Sequence, residues 1–393
     1  MKVLITWELG LNLGHLTRLL PIAKGLLRNG HSVLIAARDV TAAAAILGPP
    51  GIRFVQAPHL PSGIPLQHRA SGYADILLSQ GWSDQSSLWG LVESWLCIFH
   101  LFRPDGLILD YSPTVSLAAS IAAIPAIAVG NGFELPPLTD PLPAFPGFSW
   151  ATPERAAGAE SAAMRNANAV LRAFRGKERG ALRDIFAGHA RLFATFRELD
   201  HYGAREDGLY IGPLLGEVVG RSVEWPDGDG PKIFASVTPR TCRFAEIFTA
   251  FAEMSARVVC VARGFRPSQL SALHRSHIRC EVQPIKLSSL RDADLCLTYG
   301  AEGTILTFLL ARVPQLVIPW HVETYMMVRR IEAMGVGCGL RGEFSSSAVQ
   351  AAITALTTSK QSRGWEFCTE EHAIDSAVQR VVDVLEAGCS AQP

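Results

Sequence analysis

The sequence predicts an α/β protein that consists of two doubly wound, parallel-sheet domains in series. Three observations lead to this prediction. A strand, a glycine-containing loop, an amphipathic helix and a second strand open the chain. A break rich in proline and glycine at 225–231 interrupts the chain, and a second series of short apolar strands follows it. A chain of 393 residues, 48% of them hydrophobic, is long enough to bury two such cores.

The opening of the chain predicts a parallel strand–helix–strand unit. The apolar run 2–6 is the first strand, and apolar residues recur at helical spacing from Leu16 to Leu27. Gly30 ends this helix, and 32–37 forms the second strand. We expect the other side of the helix to carry its basic residues, which are Arg18, Lys24 and Arg28.

Both halves continue with short apolar runs that end near turn-forming residues, which is typical of buried parallel strands. In the first half these predicted strands are 52–55, 106–109 and 126–129. In the second half they are 232–237, 256–262, 278–282, 295–298 and 315–318. Trp82 to Phe102 predicts a helix that packs aromatic side chains on the sheet, and Pro136 to Pro153 predicts a long loop.

The composition breaks define the predicted domains. We expect an N-terminal domain at 1–215, a linker at 216–231, a C-terminal domain at 232–368 and a final helical segment at 369–393.

Composition also limits the partners. Lys plus Arg and Asp plus Glu both total 36 and no basic run occurs, so we expect no nucleic acid. We expect no leader and no membrane span, hence a cytoplasmic monomer or homodimer, with peripheral contact to a membrane left open. The eight cysteines form no Cys-x-x-Cys pair, which favours buried free thiols over metal ligands or disulfides.

The loop between the first strand and helix has two interpretations. Gly10 and Gly14 lack the spacing of a dinucleotide-binding loop, although Asp39 ends the second strand where a ribose-binding acid would stand. The loop instead places His15 in the first turn of a helix, at the carboxyl end of a strand, where open α/β sheets bind ligands. We therefore interpret His15 as a functional residue rather than a packing residue.

Asp110 ends the strand 106–109 and is expected at the same edge of the sheet as His15. A carboxylate at this place would fix the tautomer of a histidine base and stabilise its imidazolium form. The alternative, Asp110 as the N-cap of the following helix, stays open at this stage.

The second half contains a glycine loop at 299–304, between the strand 295–298 and a helix predicted from Ile305. Gly300 and Gly303 leave backbone amides at the start of that helix. Such amides suit an anion, for example a diphosphate.

Four segments of the chain resemble the family-one UDP-glycosyltransferases, in particular bacterial enzymes that act on macrolides and other natural products. These segments are 14–31, 103–110, 291–319 and 329–337, and they follow the family's order in both halves. The resemblance implies the GT-B fold, in which two Rossmann-like domains face each other across a cleft. It also implies that the segment 369–393 crosses back to the first domain.

The resemblance further implies an inverting transfer of sugar from a UDP- or dTDP-linked donor to a hydroxyl of a small acceptor, without a resident cofactor or metal. His15 matches the family's base, and Asp110 matches the acid that orients it. The diphosphate-binding positions are Tyr299, Gly300, Ala301, Glu302, Gly303 and Thr304, where the amides of the last three would offset the departing charge. The nucleobase-binding positions are Gln283 and Pro284.

The donor side departs from the family pattern. Tyr299 replaces a histidine, Ala301 replaces a glycine, and Glu323 with Thr324 stands where the family has an acid followed by glutamine. His321 is the residue that would replace a lost contact to the donor sugar. Because the base and its acid are retained, these departures favour an altered donor over lost catalysis.

The acceptor is expected to be apolar or aromatic, because the first half is rich in aromatic residues that would line its pocket, namely Trp82, Trp89 and Phe133. Two other functions stay open. One is an inactive auxiliary or binding protein, which the donor-side departures would explain. The other is a nucleotide-sugar 2-epimerase, for which Asp110, Glu302 and Glu323 supply carboxylates.

Overall fold

The chain divides into two compact units, one of Met1–Gly216 with His372–Pro393 and one of Glu217–Glu371. They are called unit 1 and unit 2 below. The computed structural model describes residues 1–10, 14–47, 51–216, 220–239, 241, 243–262, 264–273, 275–283, 285–358 and 374–390.

Unit 1 is built on a parallel sheet. Its strands are β1 (Lys2–Trp7), β2 (Ser32–Ala37), β3 (Arg53–Gln56), β4 (Gly106–Asp110), β5 (Ala126–Gly130), β6 (Ala190–Phe193) and β7 (Leu209–Tyr210). Their order across the sheet is β3-β2-β1-β4-β5-β6-β7, and every pairing is parallel. The chain therefore reverses its winding direction between β1 and β4, which is where such sheets bind ligands.

Helices cover this sheet. They are α1 (Gly14–Arg28), α2 (Val40–Leu47), α3 (Tyr73–Leu77), α4 (Gln85–Phe102), α5 (Pro113–Ala122), α6 (Pro153–Ala173) and α7 (Leu182–Phe186), with a π-helical turn at Leu78–Trp82 and a 3-10 turn at Arg197–Leu199. The core lies between α1, β1 and their neighbours, where the central strands are almost wholly buried. Burial on both faces explains why these strands read as continuous apolar runs.

Unit 2 repeats the design. Its strands are β8 (Lys232–Val237), β9 (Arg257–Ala262), β10 (Ile278–Glu281), β11 (Leu295–Thr298), β12 (Gln315–Val317) and β13 (Gly337–Gly339). They pair in parallel in the order β10-β9-β8-β11-β12-β13, so the winding reverses between β8 and β11. Its helices are α8 (Phe244–Glu253), α9 (Pro267–Leu273), α10 (Glu302–Leu310), α11 (Val322–Ala333) and α12 (Ser346–Thr358), with a 3-10 turn at Leu287–Leu290.

The last helix, α13 (Ile374–Ser390), packs on α1 in unit 1. Its buried side chains recur at helical spacing and join the core of unit 1, and they are Ala377, Val378, Val381, Val382 and Leu385. No helix in the described part of the chain has the length and apolar character needed to cross a lipid bilayer.

Sequence patterns miss three strands and misplace one helix start. The missed strands β6, β7 and β13 have only four, two and three residues, too few for a hydrophobic period to show. The helix predicted from Ile305 begins at Glu302, because Ala301 rather than a polar residue stands at its N-cap. The loop predicted at Pro136 to Pro153 is confirmed up to Thr152, where α6 begins with Pro153 in its first turn.

Six cysteines lie in the described residues, and all six are free thiols. Cys260 and Cys296 are buried as predicted, whereas Cys97 is exposed because it lies on the outer face of α4. Cys242 and Cys368 lie outside the described residues.

Candidate functional site

The strongest candidate site lies in unit 1, where the winding reverses. His15 is the second residue of α1 and follows β1, while Asp110 is the last residue of β4. Trp7 at the end of β1 is the register partner of Asp110. Two neighbouring strand ends thus place the histidine and the carboxylate side by side.

His15 and Asp110 form a buried hydrogen-bonded pair. The distances from His15 Nδ1 to the two carboxylate oxygens of Asp110 are 3.1 and 3.2 Å. Ser112, not Asp110, occupies the N-cap of α5, so the capping interpretation of Asp110 is wrong. A carboxylate at Nδ1 keeps the proton there and leaves Nε2 as the basic nitrogen.

The electrostatics of the pair favour a basic histidine. Burial lowers the pKa of His15, but the charge and hydrogen bond of Asp110, together with the charge of Glu134, outweigh burial and the cation of Arg18. The net direction is upward from the ordinary value of 6.5. The imidazole is therefore a stronger base than an exposed histidine.

Aromatic rings and a glycine fix the orientation of the imidazole. Trp7 stacks on it with ring centroids 5.3 Å apart, and Tyr111 stacks at 6.2 Å. Gly10 has a φ of +84°, and a Cβ at this residue would lie 2.2 Å from His15 Nε2. Only glycine therefore fits beside the basic nitrogen.

Two further charged residues, missed by sequence analysis, complete what we call the His15 cluster: His15, Arg18, Asp110 and Glu134. Each of the four is less than one-tenth exposed. Arg18 lies one helical turn after His15 and is buried. The prediction that Arg18 lies on the side of α1 opposite its apolar residues, together with Lys24 and Arg28, is therefore wrong. The pattern of α1 carried a signal, because a residue three positions after His15 shares its face. Glu134 lies in the loop after β5, where no periodic pattern exists.

The ligand atoms of His15, Asp110 and Glu134 lie within 4.8 Å of one another, which is compatible with a metal ion. The guanidinium of Arg18 already lies between the two carboxylates, at 2.8 Å from Asp110 and 2.5 Å from Glu134. An ion bound to both acids would have to displace this guanidinium. The two carboxylates therefore fit the guanidinium of Arg18 as their cation better than a metal ion.

A third buried acid, Glu8, directly follows β1. Glu8 accepts a hydrogen bond from the backbone amide of Thr114, 2.9 Å away in the first turn of α5. Burial raises the pKa of Glu8 to about 7, although the bonds from Thr114 lower it. Asp39, in contrast, caps α2 through the amides of Thr41 and Ala42, so it serves the helix start.

The three residues predicted for the acceptor pocket lie in different surroundings. Phe133 packs edge-on against Tyr111, at 6.5 Å, and so adjoins the His15 cluster. Trp82 is fully buried and donates a hydrogen bond to Thr114. Trp89 is 45% exposed and stacks on Phe174.

In unit 2 the predicted diphosphate loop also lies where the winding reverses. Tyr299 and Gly300 follow β11, Ala301 is the N-cap of α10, and Gly300 has a φ of +103°. The Thr304 amide donates to the Ala301 carbonyl at 3.0 Å, so the helix already engages one of the three amides assigned to the diphosphate. Space for a Cβ is open at Gly303.

The predicted sugar-binding residues lie at the start of α11. Thr324 is buried, and its hydroxyl forms hydrogen bonds with the backbone at Trp320 and His321, so it caps the helix. Its side chain packs on Gly300, where a Cβ would lie 2.7 Å away. Burial lowers the pKa of His321 to about 4, which keeps it neutral. Glu323 lies in the first turn.

The predicted nucleobase position lies between β10 and the 3-10 turn at Leu287–Leu290. Gln283 is exposed there, and Pro284 lies outside the described residues.

The fold is similar to solved structures of glycosyltransferases over nearly the whole chain. The glycotransferase of kitacinnamycin has a TM-score of 0.74 at 18% identity, with 98% of each chain covered. The glycosyltransferase VinC, solved in complex with dTDP, has a TM-score of 0.69 at 16% identity, with 100% of each chain covered. CalG4, the calicheamicin glycosyltransferase, has a TM-score of 0.68 at 18% identity, covering 99% of this chain and 98% of that one.

No protein-family model matches the sequence, and no curated protein matches it either. At these identities the similarity defines the fold, which is the GT-B fold of two Rossmann-like domains. The fold class predicted from the sequence is confirmed.

Proposed function

We propose that the protein is an inverting glycosyltransferase that moves a sugar from a nucleotide-diphosphate sugar to a hydroxyl of a small acceptor. The observation that carries this proposal is the pairing of His15 Nδ1 with Asp110, 3.1 Å apart, at the reversal of a GT-B domain. Two glycosyltransferases of similar fold, VinC and SsfS6, were solved in complex with dTDP or thymidine diphosphate, which supports a nucleotide donor.

The geometry of the pair fits the required chemistry. Nε2 of His15 takes the proton of the acceptor hydroxyl while the oxygen attacks the anomeric carbon of the donor. The bond from that carbon to the diphosphate breaks, and the nucleoside diphosphate leaves with the electron pair, so the configuration inverts. Asp110 stabilises the imidazolium that results.

The donor is assigned to unit 2. The loop at 299–304 combines a left-handed glycine with the start of α10, and partial positive charge at a helix start stabilises a diphosphate. Because Thr304 already donates within the helix, the amides of Glu302 and Gly303 are the ones proposed to face the diphosphate.

The test is the variant His15→Ala with His100→Ala as control, since His100 is exposed on α4. Transfer is measured by mass spectrometry with UDP- and dTDP-sugars and a panel of phenolic and polyketide acceptors, and binding of UDP and dTDP is measured by calorimetry. We expect His15→Ala to lose transfer by about 100-fold or more, the size of a general base contribution. Nucleotide affinity should stay unchanged.

Two outcomes would contradict the proposal. Full transfer by His15→Ala would exclude His15 as the base. Absence of both nucleotide binding and transfer in the unaltered protein would favour the auxiliary-protein interpretation instead.

A further inference from the structure

We propose that Glu134 is a positioning residue for the base: it holds the Arg18 guanidinium, so that Asp110 stays available to His15. The catalytic meaning of this inference rests on the proposed function. The arrangement of the four side chains stands on geometry alone.

The contacts show how Arg18 is divided between two acids. Its Nη1 atom is 2.8 Å from Asp110 Oδ1 and 2.5 Å from Glu134 Oε2, and its Nη2 atom is 3.3 Å from Glu134 Oε1. Glu134 therefore takes both terminal nitrogens, while Asp110 takes one. Without Glu134, Asp110 would be the carboxylate left in contact with Arg18, and a guanidinium prefers to bind a carboxylate in a bidentate manner.

Arg18 and His15 share an oxygen of Asp110. Oδ1 accepts from Arg18 at 2.8 Å and lies 3.2 Å from His15 Nδ1. A guanidinium that turned fully to Asp110 would compete directly with the imidazole. Holding Arg18 on Glu134 leaves Asp110 Oδ2, at 3.1 Å, to His15.

The carboxylate of Glu134 is itself held in place by the backbone at the end of β5. Its Oε2 atom accepts a hydrogen bond from the backbone amide of Asn131 at 2.8 Å. At Gly130, the last residue of β5, a Cβ would lie 2.6 Å from the same oxygen. The carboxylate is therefore held against the end of a strand, and it can act as an anchor for Arg18.

The charges of the cluster have a definite balance. The groups that face His15 are Asp110 from β4, Glu134 from the loop after β5 and Arg18 from α1, with the rings of Trp7 and Tyr111 on its faces. The formal charge is −1 with neutral His15 and zero with protonated His15. Glu134 Oε1 lies 3.7 Å from His15 Nδ1 and favours the protonated form, whereas Arg18 opposes it.

The experiment is an NMR titration of the His15 ring in the full-length protein without substrate. The His15 signal is identified by its loss in His15→Ala. In Glu134→Gln we expect the titration midpoint of His15 to fall by about one pH unit, because the Arg18 guanidinium then turns to Asp110 and competes with His15, and because the charge of Glu134 is lost. In Arg18→Gln we expect a rise of similar size, and the double variant should lie between the two.

Opposite directions separate this proposal from simple loosening of the site. A loosened site would bring His15 back toward the value of an exposed histidine, which is a downward change from its raised pKa. A rise in Arg18→Gln cannot come from loosening. Equal directions in the two single variants, or an unchanged midpoint in Glu134→Gln, would overturn the proposal.

Two controls complete the design. Glu134→Asp keeps the charge and should keep the midpoint closer to that of the unaltered protein. Asp207→Asn removes the carboxylate partner of another buried arginine of unit 1, Arg191, and should leave the His15 midpoint unchanged. The titration uses no substrate, so it is independent of the transfer assay. Opposite midpoint changes in a protein without transfer activity would support the positioning role of Glu134 and contradict the proposed function. Transfer activity without opposite midpoint changes would support the proposed function and contradict the positioning role.

Discussion

At the scale of single residues, the position of His15, the proposed base, depends on a glycine that makes room for it. Gly10 combines a left-handed backbone with a close approach to His15 Nε2. Tyr111, which stacks on the other face of His15, also has a positive φ, of 48°, although it is not glycine. Leu9 donates a backbone hydrogen bond to the Tyr111 carbonyl at 3.0 Å, so the two unusual conformations are tied together. This hydrogen bond thus joins the chain after β1 to the chain after β4 beside His15.

The glycine requirement predicts the effect of Gly10→Ala. The new methyl group would strain the backbone and displace the imidazole, so we expect a loss of about 1–3 kcal/mol in the free energy of unfolding. Transfer should fall with it, because the base leaves its place beside Asp110. Denaturant unfolding and the transfer assay check both effects.

Gly14→Ala is the matched control for Gly10→Ala. Gly14 lies in α1, and a Cβ there would meet no atom within 4 Å. We expect unchanged or slightly raised stability, because alanine favours a helix over glycine. Equal losses in the two variants would show that the strain at Gly10 is not specific.

The same scale shows what the sequence can and cannot predict of the site. His15 and Asp110 were predictable because Asp110 ends β4, His15 lies in the first turn of the helix that follows β1, and the two strands are neighbours in this topology. The helical pattern of α1 places Arg18 with the charged residues, away from the apolar ones. Such a pattern does not show which charged side chain is buried and paired with an acid. Glu134 could not be found, since Arg18, the charged residue that it pairs with, lies far away along the chain.

At the scale of elements, the connection between α7 and β6 contains a partly buried histidine, His189. Both ring nitrogens of His189 are shielded from solvent. The residue lines a small cavity next to the His15 cluster, together with Tyr73, Tyr111 and Phe186. Burial lowers the pKa of His189 to about 4. The connection therefore carries a neutral imidazole at a cost in stability.

This burial predicts a stability that depends on pH. An unfolded histidine binds a proton near 6.5 and His189 only near 4, so the unfolded state holds more protons between these values. The stability that neutral His189 allows is fully present above pH 6.5 and is lost as the pH falls toward about 4. In His189→Phe the free energy of unfolding should exceed that of the unaltered protein by an amount that grows by about 2 kcal/mol between neutral pH and about pH 5.

Urea unfolding of unaltered protein and His189→Phe across this pH range measures the difference. His100→Phe, the same substitution at an exposed histidine of α4, is the control and should show no such growth. A constant difference across the range would mean that His189 is charged in the folded protein.

At the scale of the whole molecule, one sheet design occurs twice, and a final helix completes the first copy. Both sheets place their first strand beside their fourth, so both put a glycine loop and a helix start at the reversal. Continuous apolar runs reveal this plan because its central strands are buried on both faces. The strands β6, β7 and β13 are not predicted from the sequence, because they have only four, two and three residues. The apolar spacing of α13 also predicts a helix, although α13 follows all of unit 2 in the sequence and belongs to unit 1.

The return of α13 predicts a unit-specific loss of stability. Leu385 is almost fully buried, and it packs against Gly106 at the start of β4, where a Cβ would lie 3.0 Å from its Cδ1 atom. Leu385→Ala removes this contact from the core of unit 1, and we expect a cost of about 2–5 kcal/mol. Hydrogen exchange followed by mass spectrometry should therefore show faster exchange in peptides from β1, β4 and β5, while peptides from β8 and β11 keep their protection. Arg380→Ala, on the exposed side of the same helix, should change neither set. Faster exchange in β8 and β11 alone would show that α13 stabilises unit 2 instead of unit 1.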